Sequence, residues 1–195
     1  MVKDRLRQWA ANWNNTDGSL ETSLEIQILR EAERFRSLAA LAWSEETIYP
    51  KNEYVAGRPD GQCGVTNYGF GIWLSRRGLA YSTQLFFEEG KIVNATGSLV
   101  GGNHTWLRIE GIEEIDVQPK PGPMRFDLAG DQFDGIDAPV IIQYDDYFYP
   151  DPKTAGGNCV YRFDSRTPFM DYDTDRFKGR LDRFMNNINN VSANF

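Results

Sequence analysis

Three side chains that can together run nucleophilic acyl chemistry come along the chain in the order thiol, imidazole, carboxylate. Cys63 lies in Gly61-Gln62-Cys63-Gly64-Val65-Thr66. His104, the only histidine, lies in Asn103-His104-Thr105-Trp106. Asp127 follows in Phe126-Asp127-Leu128-Ala129-Gly130-Asp131-Gln132-Phe133. A cysteine attacks a carbonyl as thiolate, an imidazole can take its proton and return it to a leaving group, and a carboxylate can hold the imidazole in one tautomer. With one histidine there is no second imidazole to serve as base.

Each group needs an element to position it. The turn residues Arg58-Pro59-Asp60-Gly61 precede Cys63, and the pattern after them predicts a helix from 63 to about 77, stopped by Gly78. A thiol at a helix N-terminus meets positive potential and free N–H groups, which lower its pKa. The Cys63 N–H or the Gln62 side chain could also donate to an oxyanion. His104 opens an apolar strand over 104–109, a rigid place for a base. Trp106 shares its strand face by period two and could shield an ion pair, or could be ordinary core. Asp127 is strand-borne, and Asp116 in Glu114-Ile115-Asp116-Val117 is its rival as orienting acid. Asp131 and Gln132 are further options. In the alternative reading Cys63 is a small buried packing residue and His104 a hydrogen-bonded structural one.

Around these residues, Leu6, Trp9, Ala10 and Trp13 recur at helical spacing before the break at Asn14-Asn15-Thr16-Asp17-Gly18. Ser19 or Thr22 could cap a second helix with Leu24, Ile28, Ala32, Phe35, Ala39 and Ala42 on one face, ending near 43–46. The period then changes. Strands are predicted over 81–87, 91–95, 104–109, 113–117 and 140–144, separated by Glu89-Gly90, Gly101-Gly102 and the prolines of 119–123. Residues 144–150, with Tyr147, Phe148 and Tyr149, read as a surface loop. Residues 173–191 read as an amphipathic helix with Phe177, Leu181, Phe184 and Ile188 on one face and Asp173 as its cap. Helices followed by antiparallel strands make an α+β pattern. The expected organisation is one domain over 1–195: a helical part at 1–46, a catalytic-like core at 60–145 and a C-terminal helix at 173–191.

Composition bounds the partners. Of 195 residues, 41% are hydrophobic and 25% charged, which suits a folded chain with a real core. The formal net charge of −7 argues against phosphate-backbone binding, and no Lys/Arg run opposes that reading. No apolar run is long enough to span a bilayer, and the charged start Met1-Val2-Lys3-Asp4-Arg5 lacks a signal-peptide core. A cytoplasmic location is therefore expected, with Cys63 and Cys159 as free thiols. Two distant cysteines and one histidine do not make a zinc site. No cofactor, metal, nucleic acid or membrane partner is expected.

Taken together, Trp43-Ser44-x-x-Thr47-x-Tyr49-Pro50, Gly61-Gln62-Cys63-x-Val65-Thr66, His104-x-Trp106 and Asp127-Leu128-x-x-Asp131-Gln132-Phe133 resemble the YunG-like family of bacteria and phages. That family looks like a branch of the papain-like and transglutaminase-like thiol enzymes. The resemblance covers about residues 43–133. It implies a Cys-bearing helix packed on an antiparallel sheet that carries the histidine and the acid. By the same resemblance, Cys63 is nucleophile, His104 base and Asp127 orienting acid. The chain departs from the family pattern in two ways. The family's acid follows its histidine more closely, a spacing that Asp116 matches while Asp127 matches the motif. Asn67 stands where the family prefers a small or apolar residue.

Two functional classes follow. One is a cysteine hydrolase or acyltransferase acting on a peptide, protein or other amide or thioester, of protease, amidase or deamidase type. The other is an inactive papain-like binding or immunity protein, for which Trp73, Tyr81, Phe86, Phe87 and Trp106 would supply a recognition surface if exposed.

Overall fold

The computed structural model describes residues 24–50, 52–81, 84–94, 96–110, 124–133, 136, 139–144, 147–149 and 159–193. The helix expected on Leu6–Trp13, the caps Ser19 and Thr22, the strand over 113–117 with Asp116, and the prolines of 119–123 lie outside the described residues.

Three helices are described: α1 (Leu24–Ala42), α2 (Cys63–Arg76) and α3 (Lys178–Ser192). The strands are β1 (Leu85–Asn94), β2 (Leu99–Ile109), β3 (Met124–Asp127), β4 (Ile141–Tyr144), β5 (Tyr147–Tyr149) and β6 (Cys159–Pro168). They form one sheet in the order β5-β4-β3-β2-β1-β6, and every neighbouring pair is antiparallel. The architecture is α+β.

The helix α2 is the central layer. Residues 65 to 71, with Trp73 and Leu74, are buried, so it is covered nearly all round, as an interior helix must be. Phe70 meets Phe35 of α1 at 5.5 Å between ring centroids and Phe126 of β3 at 5.6 Å. Tyr68 meets Phe87 of β1 at 5.4 Å and stacks on Phe169 at 4.1 Å. Phe70 is fully buried between both layers, so Phe70→Ala is expected to cost about 3–5 kcal/mol. The periodic face of α1 packs as its spacing implies, with Ile28, Ala32, Phe35, Ala39 and Ala42 all buried.

Alternation divides the sheet residues. Leu85, Phe87, Leu107, Ile109, Met124 and Phe126 join the helical core. Interleaved with them are Glu88, Trp106, Arg108 and Arg125. The Glu88 carboxylate is fully buried and accepts from Trp106 Nε1 at 2.6 Å, Arg125 Nε at 2.7 Å and Arg166 Nε at 2.9 Å. Trp73, Phe87 and Trp106 are thus core, and they are not a recognition surface.

Several boundaries differ from the sequence reading. The strand β1 runs through Glu89-Gly90 and β2 through Gly101-Gly102, with the reversal between Asn94 and Leu99. Gly90 lies opposite His104, where a Cβ would run into the Arg162 carbonyl and the Trp106 indole. It serves close approach there and makes no turn. The strand β6, which sequence did not suggest, pairs with β1. Tyr147–Tyr149 form β5 on β4 and are part of the sheet. The helix α3 begins at Lys178, later than expected. The Asp173 carboxylate accepts from the Asp175 N–H at 3.0 Å, and the Phe177 N–H bonds Thr174 O at 2.9 Å, so this stretch is turn. No helix among the described residues is long and apolar enough to cross a membrane.

Candidate active site

The turn before α2 fixes where Cys63 stands. Gly61 has φ +67°, and a Cβ there would lie 2.7 Å from Asn52 Nδ2, so both backbone and space ask for glycine. Its carbonyl accepts from the Tyr49 N–H at 3.1 Å, and the Gln62 N–H bonds Pro59 O at 2.8 Å. Gln62 is then the N-cap and Cys63 the first helical residue. The Thr66 N–H donates to Gln62 O at 2.9 Å. The N–H groups of Cys63, Gly64 and Val65 have no intrahelical carbonyl within reach, and the positive end of the helix falls on Cys63, which is half-buried.

His104 is fully buried on β2. Register irregularities in β1 flank Gly90, its cross-strand neighbour, and such bulges bend a strand and re-aim side chains. His104 Nε2 is 2.6 Å from Asp127 Oδ2, and the Cys63 thiol also acts on the ring through a hydrogen bond and its charge. The ring is packed edge-on to Phe133 at 4.9 Å and tilted to Trp106 at 6.1 Å. Asp127 ends β3, and its Oδ1 accepts from the Ala129 N–H at 3.0 Å.

The three residues singled out by type and order thus meet at one place. Asp131 does not join them. Its Oδ2 pairs with Arg36 Nη2 at 2.6 Å, and that guanidinium lies over the Trp43 ring at 4.4 Å. Burial raises the Asp131 carboxyl, and Arg36 pulls against that rise. Gln132 contacts the imidazole at the opposite nitrogen, with Nε2 3.0 Å from His104 Nδ1. Cys159 opens β6, opposite Asn94.

Asn67 is a neighbour of the candidate site that sequence reasoning left without meaning. It lies one turn after Cys63 and is fully buried. Its Nδ2 donates to Thr105 O at 2.7 Å and Asp127 Oδ1 at 3.2 Å, and its Oδ1 accepts from the Leu128 N–H at 2.8 Å. The i+4 spacing from Cys63 was the available signal. Gln62 is fully buried too, and neither side-chain amide atom meets a hydrogen-bond partner among the described residues.

The electrostatics follow from these contacts. Burial pushes the Cys63 thiol up, but the hydrogen bond and charge of His104 outweigh it and leave the thiol below its ordinary value. Burial pulls His104 down, while the Asp127 charge and hydrogen bond, with help from Cys63, raise it to about 10. Both shifts favour a thiolate–imidazolium pair. Arg180 of α3 lies over the rings of Tyr49 at 5.4 Å and Phe177 at 6.0 Å. Burial lowers its guanidinium, and the charges of Cys63 and Tyr49 push the other way. Among the described residues no cluster of His, Cys, Asp or Glu is placed to hold a metal ion.

Comparison of the chain with family models, curated proteins and solved structures returned no match.

Proposed function

We propose that this chain is a cysteine hydrolase or acyltransferase acting on an amide or thioester, similar to the papain-like and transglutaminase-like enzymes and to the YunG-like family. One observation carries the reading: a buried imidazole with a carboxylate 2.6 Å from its Nε2 interacts with a thiol at a helix N-terminus. In this reading the Cys63 thiolate attacks the substrate carbonyl. The proton taken by His104 passes to the leaving amine or thiol, and the acyl group then moves from sulfur to water or an amine. Asp127 holds the ring and stabilises its charge. The free N–H groups at the head of α2 supply donors for the oxyanion.

The test is alkylation of Cys63 by iodoacetamide against pH, resolved by peptide mass spectrometry, with Cys159 as internal control. Cys63 is expected to titrate well below the free-thiol value of about 8.5, and His104→Ala is expected to remove that advantage. A Cys63 no faster than Cys159 and indifferent to His104 would sink the proposal. A positive result justifies a screen of peptide, isopeptide, glutamine side-chain and thioester substrates.

A further inference from the structure

Gln132 faces His104 across the ring from Asp127. Its Nε2 is 3.0 Å from His104 Nδ1 and 2.9 Å from Ala129 O, and its Oε1 accepts from the Gly61 N–H at 3.1 Å. The Ala129 carbonyl can only accept and the Gly61 N–H can only donate, so both ends fix the orientation of the amide. A flipped amide would set oxygen against oxygen and N–H against N–H. The NH2 group therefore points at Nδ1 as a donor, and Nδ1 answers with its lone pair. The carboxylate on Nε2 keeps the ring's proton on that side.

Nδ1 is also the nitrogen left to receive the Cys63 proton, because Nε2 is held by Asp127. An imidazolium carries N–H on both nitrogens. Its Nδ1–H would meet the Gln132 NH2, donor against donor. One in-plane lone pair cannot serve the amide and the thiol at once.

We infer that Gln132 is a positioning residue that competes with the Cys63 thiol for His104 Nδ1 and so opposes the thiolate–imidazolium pair, which reaches its full strength only when the Gln132 amide moves off. The inference rests on the thiol–imidazole reading above and adds regulation to that site. Gln132 is half-buried, so a ligand can reach it. A substrate amide arriving beside Cys63 brings a carbonyl able to accept the Gln132 N–H. Nδ1 is then freed at the step that needs it, the thiol proton moves to Nδ1, and sulfur keeps the electron pair. The same amide holds Gly61, so its release also loosens the turn in front of the nucleophile. The charged and titratable groups around the pair are Asp127 on β3, Arg180 on α3 and Tyr172 before α3, with Asp131 tied to Arg36.

The single histidine gives a clean readout, the ring 15N resonances of His104 against pH, measured beside Cys63 alkylation. Gln132→Met keeps the length and removes the donor, and Gln132→Ala removes it without the bulk. Either is expected to move the imidazolium to higher pH and to speed Cys63 alkylation in mild acid by about tenfold, the effect of one unit in the pair's titration. Unchanged titration and alkylation in folded variants overturn the inference. So does a wild-type neutral His104 that carries its proton on Nδ1, which needs no variant. If His104→Ala slows alkylation while the Gln132 variants match wild type, only the role of Gln132 falls. If His104→Ala changes nothing in either background, the thiol–imidazole reading itself falls.

Discussion

Asn67 joins the helix that begins at Cys63 to Asp127: its Nδ2 lies 3.2 Å from Asp127 Oδ1, one helical turn after Cys63. The same side chain bonds Thr105 O and the Leu128 N–H, so it ties α2 to β2 and to the end of β3. Asn67→Leu leaves these buried groups unpaired and is expected to cost on the order of 3 kcal/mol. Asn67→Asp adds a charge beside Asp127 and is expected to cost more. Chemical denaturation measures both. A loss under about 1 kcal/mol for Asn67→Leu would mean the partners re-pair on their own.

His104 links stability to pH. Its folded value is raised to about 10 from an ordinary 6.5, burial opposing and Asp127 and Cys63 driving the rise. A base raised on folding contributes stability that is whole below its unfolded value and is lost as pH climbs through the folded one. The stability of wild type over His104→Ala is therefore expected to hold its full value up to about pH 6.5 and to fall toward about pH 10. Gln132→Met should carry the advantage further upward, because the amide no longer opposes the imidazolium. Thermal melts across that range decide the matter, and a flat difference would count against a charged His104.

Glu88 separates stability from chemistry. It is fully buried, and Trp106, Arg125 and Arg166 all donate to it. Arg108 and Arg166 also reach Glu110, at 2.7 and 3.1 Å. Removing one partner of a buried ion cluster strands the others, so Glu88→Ala is expected to lose about 3–5 kcal/mol. The Cys63 alkylation profile should stay as in wild type. A much smaller loss would show that Glu110 and solvent take over the arginines.

The helical core was legible because its signal is periodic. Ile28, Phe35 and Ala39 recur at the helical period and pack as one face. The strand β6 gave no such signal, since residues 162 to 166 are all exposed and no alternation marks them. Gly90 and Gly101-Gly102 resemble breaks because sequence cannot tell a glycine that turns the chain from one that lets a neighbour approach. The pairing of Cys63 with His104 could be guessed from residue type and order, with Asp127 preferred to its rival Asp116 on the motif that carries the family resemblance. The roles of Asn67 and Gln132 could not, because an amide's role depends on which groups face its two ends.

Gln62 offers a test that divides alkylation from acylation. Its side-chain amide is buried without a partner among the described residues, a state that costs about 1–3 kcal/mol. Gln62→Met removes that cost at similar size and is expected to leave stability unchanged or improved. Alkylation by iodoacetamide builds no oxyanion, so the variant should react at the wild-type rate. Acylation of Cys63 by an activated ester does build one beside the head of α2. If the Gln62 amide turns toward it, as a donor in search of an acceptor would, Gln62→Met should slow acylation by about 10²–10³-fold. Equal acylation rates would leave the oxyanion to the backbone N–H groups of α2 alone. A large fall in stability would mean that the amide has a partner in the folded chain, and the argument from an orphaned donor would fail.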